Sequence, residues 1–166
     1  GGDLWQASIV TGSTISEGVI PFSVEIFDTA GNDNLVITAT TNGSFVVFDK
    51  TAPTFPTVVQ DLEGAANLEF KDVSKTEFSW FGQNDLDATS TFPGSGIHKF
   101  EMRFNNPSNG TNDTATILSP QNTFTPPIPK ANDNPYSLSM NIVDKAGNST
   151  GEQSIYTQRY SLASNI

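Results

Sequence analysis

The groups in this chain that could do chemistry are its carboxylates. Eighteen Asp and Glu stand against eight Lys and Arg, a net charge of −10 in 166 residues. The acids fall into short motifs: Asp28-Thr29-Ala30-Gly31-Asn32 with Asp33 just after it, Asp49 in DKTAPT, Asp85-x-Asp87, and Asp144-Lys145-Ala146-Gly147-Asn148. Carboxylate pairs can serve as general acid and base, but any protein this acidic offers such pairs, and no spacing here singles one out. The single histidine, His98, alternates with Phe100 and Met102 in a strand-like run, and neither a cysteine nor a serine-centred elbow accompanies it. The chain reads as a non-enzyme. Clustered carboxylates have two remaining uses, solubility of an exposed protein or coordination of a hard divalent cation by oxygen.

Asp28 and Asp144 stand 116 residues apart and open near-identical turns. Glycine at the fourth position of each supplies the positive φ of a tight turn, and the Asp and Asn side chains can accept from and donate to the turn backbone. An Asx-turn acceptor is thus the simplest role for both acids. Asp85 and Asp87 read as a solvated acidic loop within a protruding segment from Gln83 to Gly96, and Asn-Asp-Asn-Pro at 132–135 reads as a turn.

The elements that must carry these motifs are strands. Alternation with a period of two runs through PFSVEIFD, IHKFEMRFN and YSLSMNIVD, aligning Phe22, Val24 and Ile26 in the first, Phe100, Met102 and Phe104 in the second, and Leu138, Met140 and Ile142 in the third. Further strands are predicted over 5–10, 35–39, 45–48, 57–60, 77–81, 114–118 and 154–160. No segment carries a capped 3.6-residue period, so the class is all-β. Turn signals at short intervals suit a sandwich. TPPIPK, with three prolines, is expected to be an extended crossover or edge segment. Trp80 in EFSWF alternates as a core tryptophan would, although Trp5, Trp80 and Phe81 could instead form a sugar-stacking platform.

Other classes are excluded or left open by composition. No basic cluster is available to release counterions from nucleic acid or to dock on anionic lipid. Cysteine is absent, which rules out disulfides and zinc-thiolate sites. No run approaches the length of a membrane-spanning helix, and no leader opens the chain. The opening GGDLWQ reads as interior sequence, so a leader would lie upstream. Four Asn-x-Ser/Thr sequons carry no weight in a chain so rich in Ser and Thr.

FDTAGN, TTNGSFVVFDKTAPT, SWFGQNDLDATSTFPGSGIHKFEMRF and MNIVDKAGNST together resemble the tandem Ig-like domains of large secreted surface adhesins. In that family a D-x-T-A-P linker opens each domain and a D-x-A-G-N turn comes near its end. The resemblance implies a partial Ig-like module over residues 1–49, its last strands only, and a complete Ig-like β-sandwich over 50–166. It implies a spacer or filament-building segment of an extracellular or cell-surface protein, partnered by other Ig-like modules of the same or a neighbouring chain and, at a distance, by a cell-surface or glycan ligand. It also implies a calcium ion shared by linker and turn acids, with Asp28, Asp33, Asp49 and Asp144 as candidate ligands. Two alternatives stay open: a carbohydrate-binding accessory module of a secreted enzyme, and a filament subunit completed by strand exchange. On repeat arithmetic the first module is several strands short, so its apolar faces need strands from elsewhere.

Overall fold

Strict alternation of large apolar and polar residues becomes long strands wherever both sheets are present to bury one face. The computed structural model describes residues 6–10, 12, 14–33, 35–62, 64–65, 70–72, 76–86, 93–106, 110–127 and 132–161. The chain separates into two compact units, Gly1–Phe48 and Asp49–Ile166. Asp49 thus opens the second unit. No helix occurs among the described residues, and the fold is all-β.

The first unit holds β1 (Gly18–Val19) and β2 (Val47–Phe48), paired antiparallel, and two isolated antiparallel bridges, Val24 with Ile37 and Phe27 with Asp33. The strands predicted over 21–28 and 35–39 are present only as these bridges. Of the strand predicted over 5–10, residues 6–10 are not in a strand and Trp5 lies outside the described residues.

The second unit is a two-layer β-sandwich. It contains β3 (Val58–Asp61), β4 (Gly64–Ala65), β5 (Phe70–Asp72), β6 (Phe78–Phe81), β7 (Ile97–Asn106), β8 (Thr111–Leu118), β9 (Thr123–Phe124), β10 (Asn132–Asp144) and β11 (Gln153–Ser161). One sheet has the order β5-β11-β10-β7-β8, antiparallel except for the parallel pair β5 and β11. The other has the order β4-β3-β6-β9. Residues 125–127 lead out of β9, in one sheet, toward β10 in the other, as expected of a proline-rich crossover. The turn expected at 132–135 is instead the first stretch of β10. Asn132 pairs with Tyr160, and the irregularity between Asn132 and Tyr136 gives Pro135 a place in the strand where a ladder donor is not required.

The core lies between the sheets. Phe100, Met102 and Phe104 of β7 and Leu138, Met140 and Ile142 of β10 turn inward, as their alternation requires. From the facing sheet, Trp80 meets Phe100 edge-on at 5.1 Å between ring centroids, and Phe78 meets Tyr156 edge-on at the same distance. Edge-to-face pairs set positive ring edges against negative faces. The Tyr156 hydroxyl donates to Asp61 Oδ2 at 2.9 Å, a buried polar tie between the layers. Trp80 is wholly buried, whereas Phe81, the next residue, faces out and is exposed. His98 is also exposed, although Phe100 and Met102 of the same alternation are buried. The register with β10 shifts where Ile97 and Lys99 meet Asp144 and Val143, which interrupts the alternation at His98.

Candidate metal centre at the head of the second unit

Three segments converge at one end of the sandwich, and each contributes one buried aspartate. Asp49 comes from the leading DKTAPT segment, Asp85 from the loop after β6, and Asp144 from the D-x-A-G-N turn that closes β10. They are 8%, 7% and 1% exposed. Each offers a carboxylate oxygen, and these oxygens lie within 4.8 Å of one another.

Backbone amides hold the acids in place. Asp144 Oδ1 accepts from the amides of Gly147 and Asn148 at 2.6 and 2.8 Å, and its Oδ2 accepts from Asn148 Nδ2 at 2.8 Å. Asn148 Nδ2 also donates to the Asp49 carbonyl at 3.2 Å, joining turn to leading segment. Asp49 Oδ1 accepts from the Thr51 amide and Oδ2 from the Ser95 amide at 2.7 Å; the Gly96 amide donates to Asp85 Oδ2 at 2.5 Å. Gly94-Ser95-Gly96 is therefore the hub. It donates to two of the acids, while its Gly96 carbonyl and Ser95 Oγ accept from the amides of Lys145 and Ala146 in the turn that carries the third. Both glycines are required: a Cβ on Gly94 would stand 2.7 Å from Asp85 Oδ2, and Gly96 has φ +89°. Thr54 fastens the leading segment further, its amide donating to the Asn84 carbonyl and its hydroxyl accepting from the Asn84 amide.

Three carboxylates this close and this buried repel one another unless positive charge or protons intervene. An all-oxygen donor set in loops fits a hard divalent cation, calcium above all, which takes six to eight oxygens in flexible geometry. Residues 82–159 match the model of a family described as a bacterial Ig-like domain. No curated protein was found to match the chain. The match supports a bacterial Ig-like domain in the second unit, and the two-sheet sandwich there is an Ig-like β-sandwich. The matched span includes Asp85, Gly94–Gly96 and Asp144, while Asp49 lies ahead of it.

Of the residues expected to bind a cation, Asp49 and Asp144 are brought together and Asp28 and Asp33 are placed in the first unit, both exposed. Asp28 is occupied by its own turn, accepting from the amides of Ala30 and Asn32 and from Asn32 Nδ2. Asp85, expected in a solvated loop, is buried; Asp87 lies outside the described residues. Gly94-Ser95-Gly96 lets backbone amides approach this buried acid, but no spacing in the sequence marks Asp85 as their target.

The outward face of the five-stranded sheet carries a different arrangement. Glu101 accepts from Lys99 Nζ at 2.6 Å and Asn141 Nδ2 at 2.8 Å, and the Lys99 bond is the main reason its carboxyl is held below the usual range. Arg103 is ion-paired with Glu152 beside it. Thr114, Thr116 and Asn141 complete a shallow depression in which no aromatic side chain takes part among the described residues.

Proposed function

We propose that the chain is a non-enzymatic structural segment of an extracellular surface protein, in which the Ig-like domain acts as a spacer and calcium fixes its leading segment. The buried Asp49–Asp85–Asp144 cluster carries this reading. Asp49 begins the unit, so a cation on this triad would tie the first residue of the domain to its 83–96 loop and its 144–148 turn. Calcium would supply the charge that lets three buried carboxylates share one site. Bacterial Ig-like domains are typically non-enzymatic and often occur in surface or extracellular proteins, and no helix among the described residues is long and apolar enough to cross a membrane. Complete burial of Trp80 removes it from any sugar-stacking platform, which leaves the spacer the better supported reading.

Calcium titrated into chelated protein should release or absorb heat with a saturable isotherm and raise the thermal midpoint. At a hundredfold excess over Kd the folded state gains about 2.7 kcal/mol, and Asp85→Asn should abolish most of it. A flat isotherm with an unmoved midpoint would leave these acids as hydrogen-bond acceptors only.

A further inference from the structure

Residues 22–37 of the first unit repeat, pair for pair, the hairpin by which the Ig-like domain joins β10 to β11. Every correspondence is displaced by the same 116 residues. The Val24–Ile37 bridge matches the Met140–Gln153 pair, and the Phe27–Asp33 bridge matches Val143–Ser149. The turns match as well. Asp28 and Asp144 each donate an amide to the Asn carbonyl four residues on, at 2.9 and 3.1 Å, and each carboxylate accepts that Asn's amide and side-chain nitrogen. Gly31 and Gly147 have φ of +85° and +96°.

What differs is the cover. Leu138, Met140 and Ile142 are 0% exposed, whereas their counterparts Phe22, Val24 and Ile26 are 41%, 44% and 59% exposed. In the Ig-like domain the far edge of β10 is paired from Ser137 to Asp144 by β7, which sets Phe104, Met102 and Phe100 opposite Leu138, Met140 and Ile142. Val24 exchanges both backbone bonds with Ile37, which turns the backbone groups of Ser23 and Glu25 to the opposite edge. Neither Ser23 nor Glu25 is paired with another strand among the described residues.

We propose that residues 22–28 accept a β-strand of the β7 type. The donated strand would carry large apolar side chains at alternate positions, in register with Phe22, Val24 and Ile26. Backbone hydrogen bonds along the Ser23–Glu25 edge supply affinity, and the alternating side chains supply specificity. Charge selects the donor. Residues 1–48 hold five acids and no Lys, Arg or His, so a second copy of this same face is disfavoured by repulsion. Glu25 occupies the place of Asn141, which pairs with Glu101 of β7. A donor with a cation at that position is therefore preferred to one with Glu. This inference rests on the hairpin geometry and does not depend on the cation at the Asp49 cluster.

The test tethers the ten residues IHKFEMRFNN ahead of the full chain through a flexible Gly/Ser linker, which raises the effective concentration of the strand. Amide exchange at Ser23 and Glu25 is read by NMR. The tethered strand should slow it by about tenfold or more relative to the untethered chain. The strand with Glu101→Lys should protect more than the unmodified one, and Glu25→Lys in the acceptor should reverse that preference. Unchanged exchange with both tethered strands overturns the proposal. So does protection in the untethered chain that grows with concentration alongside a dimer in light scattering, since a second copy would then be the occupant.

Discussion

A carboxylate at the head of a D-x-A-G-N turn is first an acceptor for that turn, and only its surroundings decide whether it does more. Asp28 and Asp144 make the same bonds to the asparagine of their own turns, yet Asp144 is buried beside two further acids and Asp28 is exposed. The Asn32 side chain, then the Asn32 amide, hold the Asp28 carboxyl below its ordinary value against an opposing desolvation, with the amides of Ala30 and Gly31 adding to the lowering. A lowered folded-state value means that this turn gains stability above the carboxyl's unfolded pKa, about 3.9, and loses it as pH falls through the lowered value. An NMR titration of the Asp28 carboxyl should therefore show a midpoint below that of an unstructured aspartate, and Asn32→Ala should move it back up. Gly94 is constrained by a different neighbour, the buried Asp85 carboxylate that a Cβ would crowd. Gly94→Ala should cost about 1–3 kcal/mol, the usual range for overpacking, in denaturant melts without calcium, and should weaken calcium binding by displacing Asp85.

At the scale of the element, a strand is stable here in proportion to how fully its apolar face is enclosed. Trp80 sits at 0% exposure in β6 and edge-on to Phe100 across the sandwich. Trp80→Ala should cost about 3–5 kcal/mol through lost burial and the cavity left behind, measured as a fall in unfolding midpoint with little change in slope. Such elements are legible in the amino-acid sequence: alternation alone places Phe100, Met102, Phe104, Leu138, Met140 and Ile142 inside, because a pleated strand offers every second residue to one face. PFSVEIFD has the same alternation and forms only bridges, since alternation marks a face that could be buried and not the partner that buries it. Asn132–Pro135 carries turn residues, but pairing with β11 outweighs local preference and a register irregularity absorbs the proline. Part of the acid cluster is legible too, in Asp49 and Asp144, from their motifs. Asp85 is not, because its burial comes from Gly94–Gly96 folding across it and from segments far away in sequence.

Across the whole molecule, apolar residues are divided unequally. Among the described residues, all twelve buried core hydrophobics lie between Phe78 and Tyr160, whereas twelve of the sixteen exposed large hydrophobics lie between Ile9 and Val46. Burial of apolar surface is the dominant favourable term in folding, so cooperative stability should reside in the second unit. Residues 49–166 expressed alone should therefore unfold with a midpoint within about 2 °C of the main transition of the full chain, a shift equivalent to well under 1 kcal/mol for a domain of this size. Because Asp49, Asp85 and Asp144 all lie within that fragment, calcium should raise its midpoint by the same amount as in the full chain. In the full chain, amides of residues 14–46 should exchange with solvent faster than those of β7 and β10, since exposed backbone opens locally at little cost. A fragment that melts well below the full chain would show that residues 1–48 contribute to the core they adjoin in sequence. A calcium shift present in the full chain and lost in the fragment would instead place a necessary ligand ahead of Asp49, and among the acids there Asp28 and Asp33 would be the first to replace with asparagine.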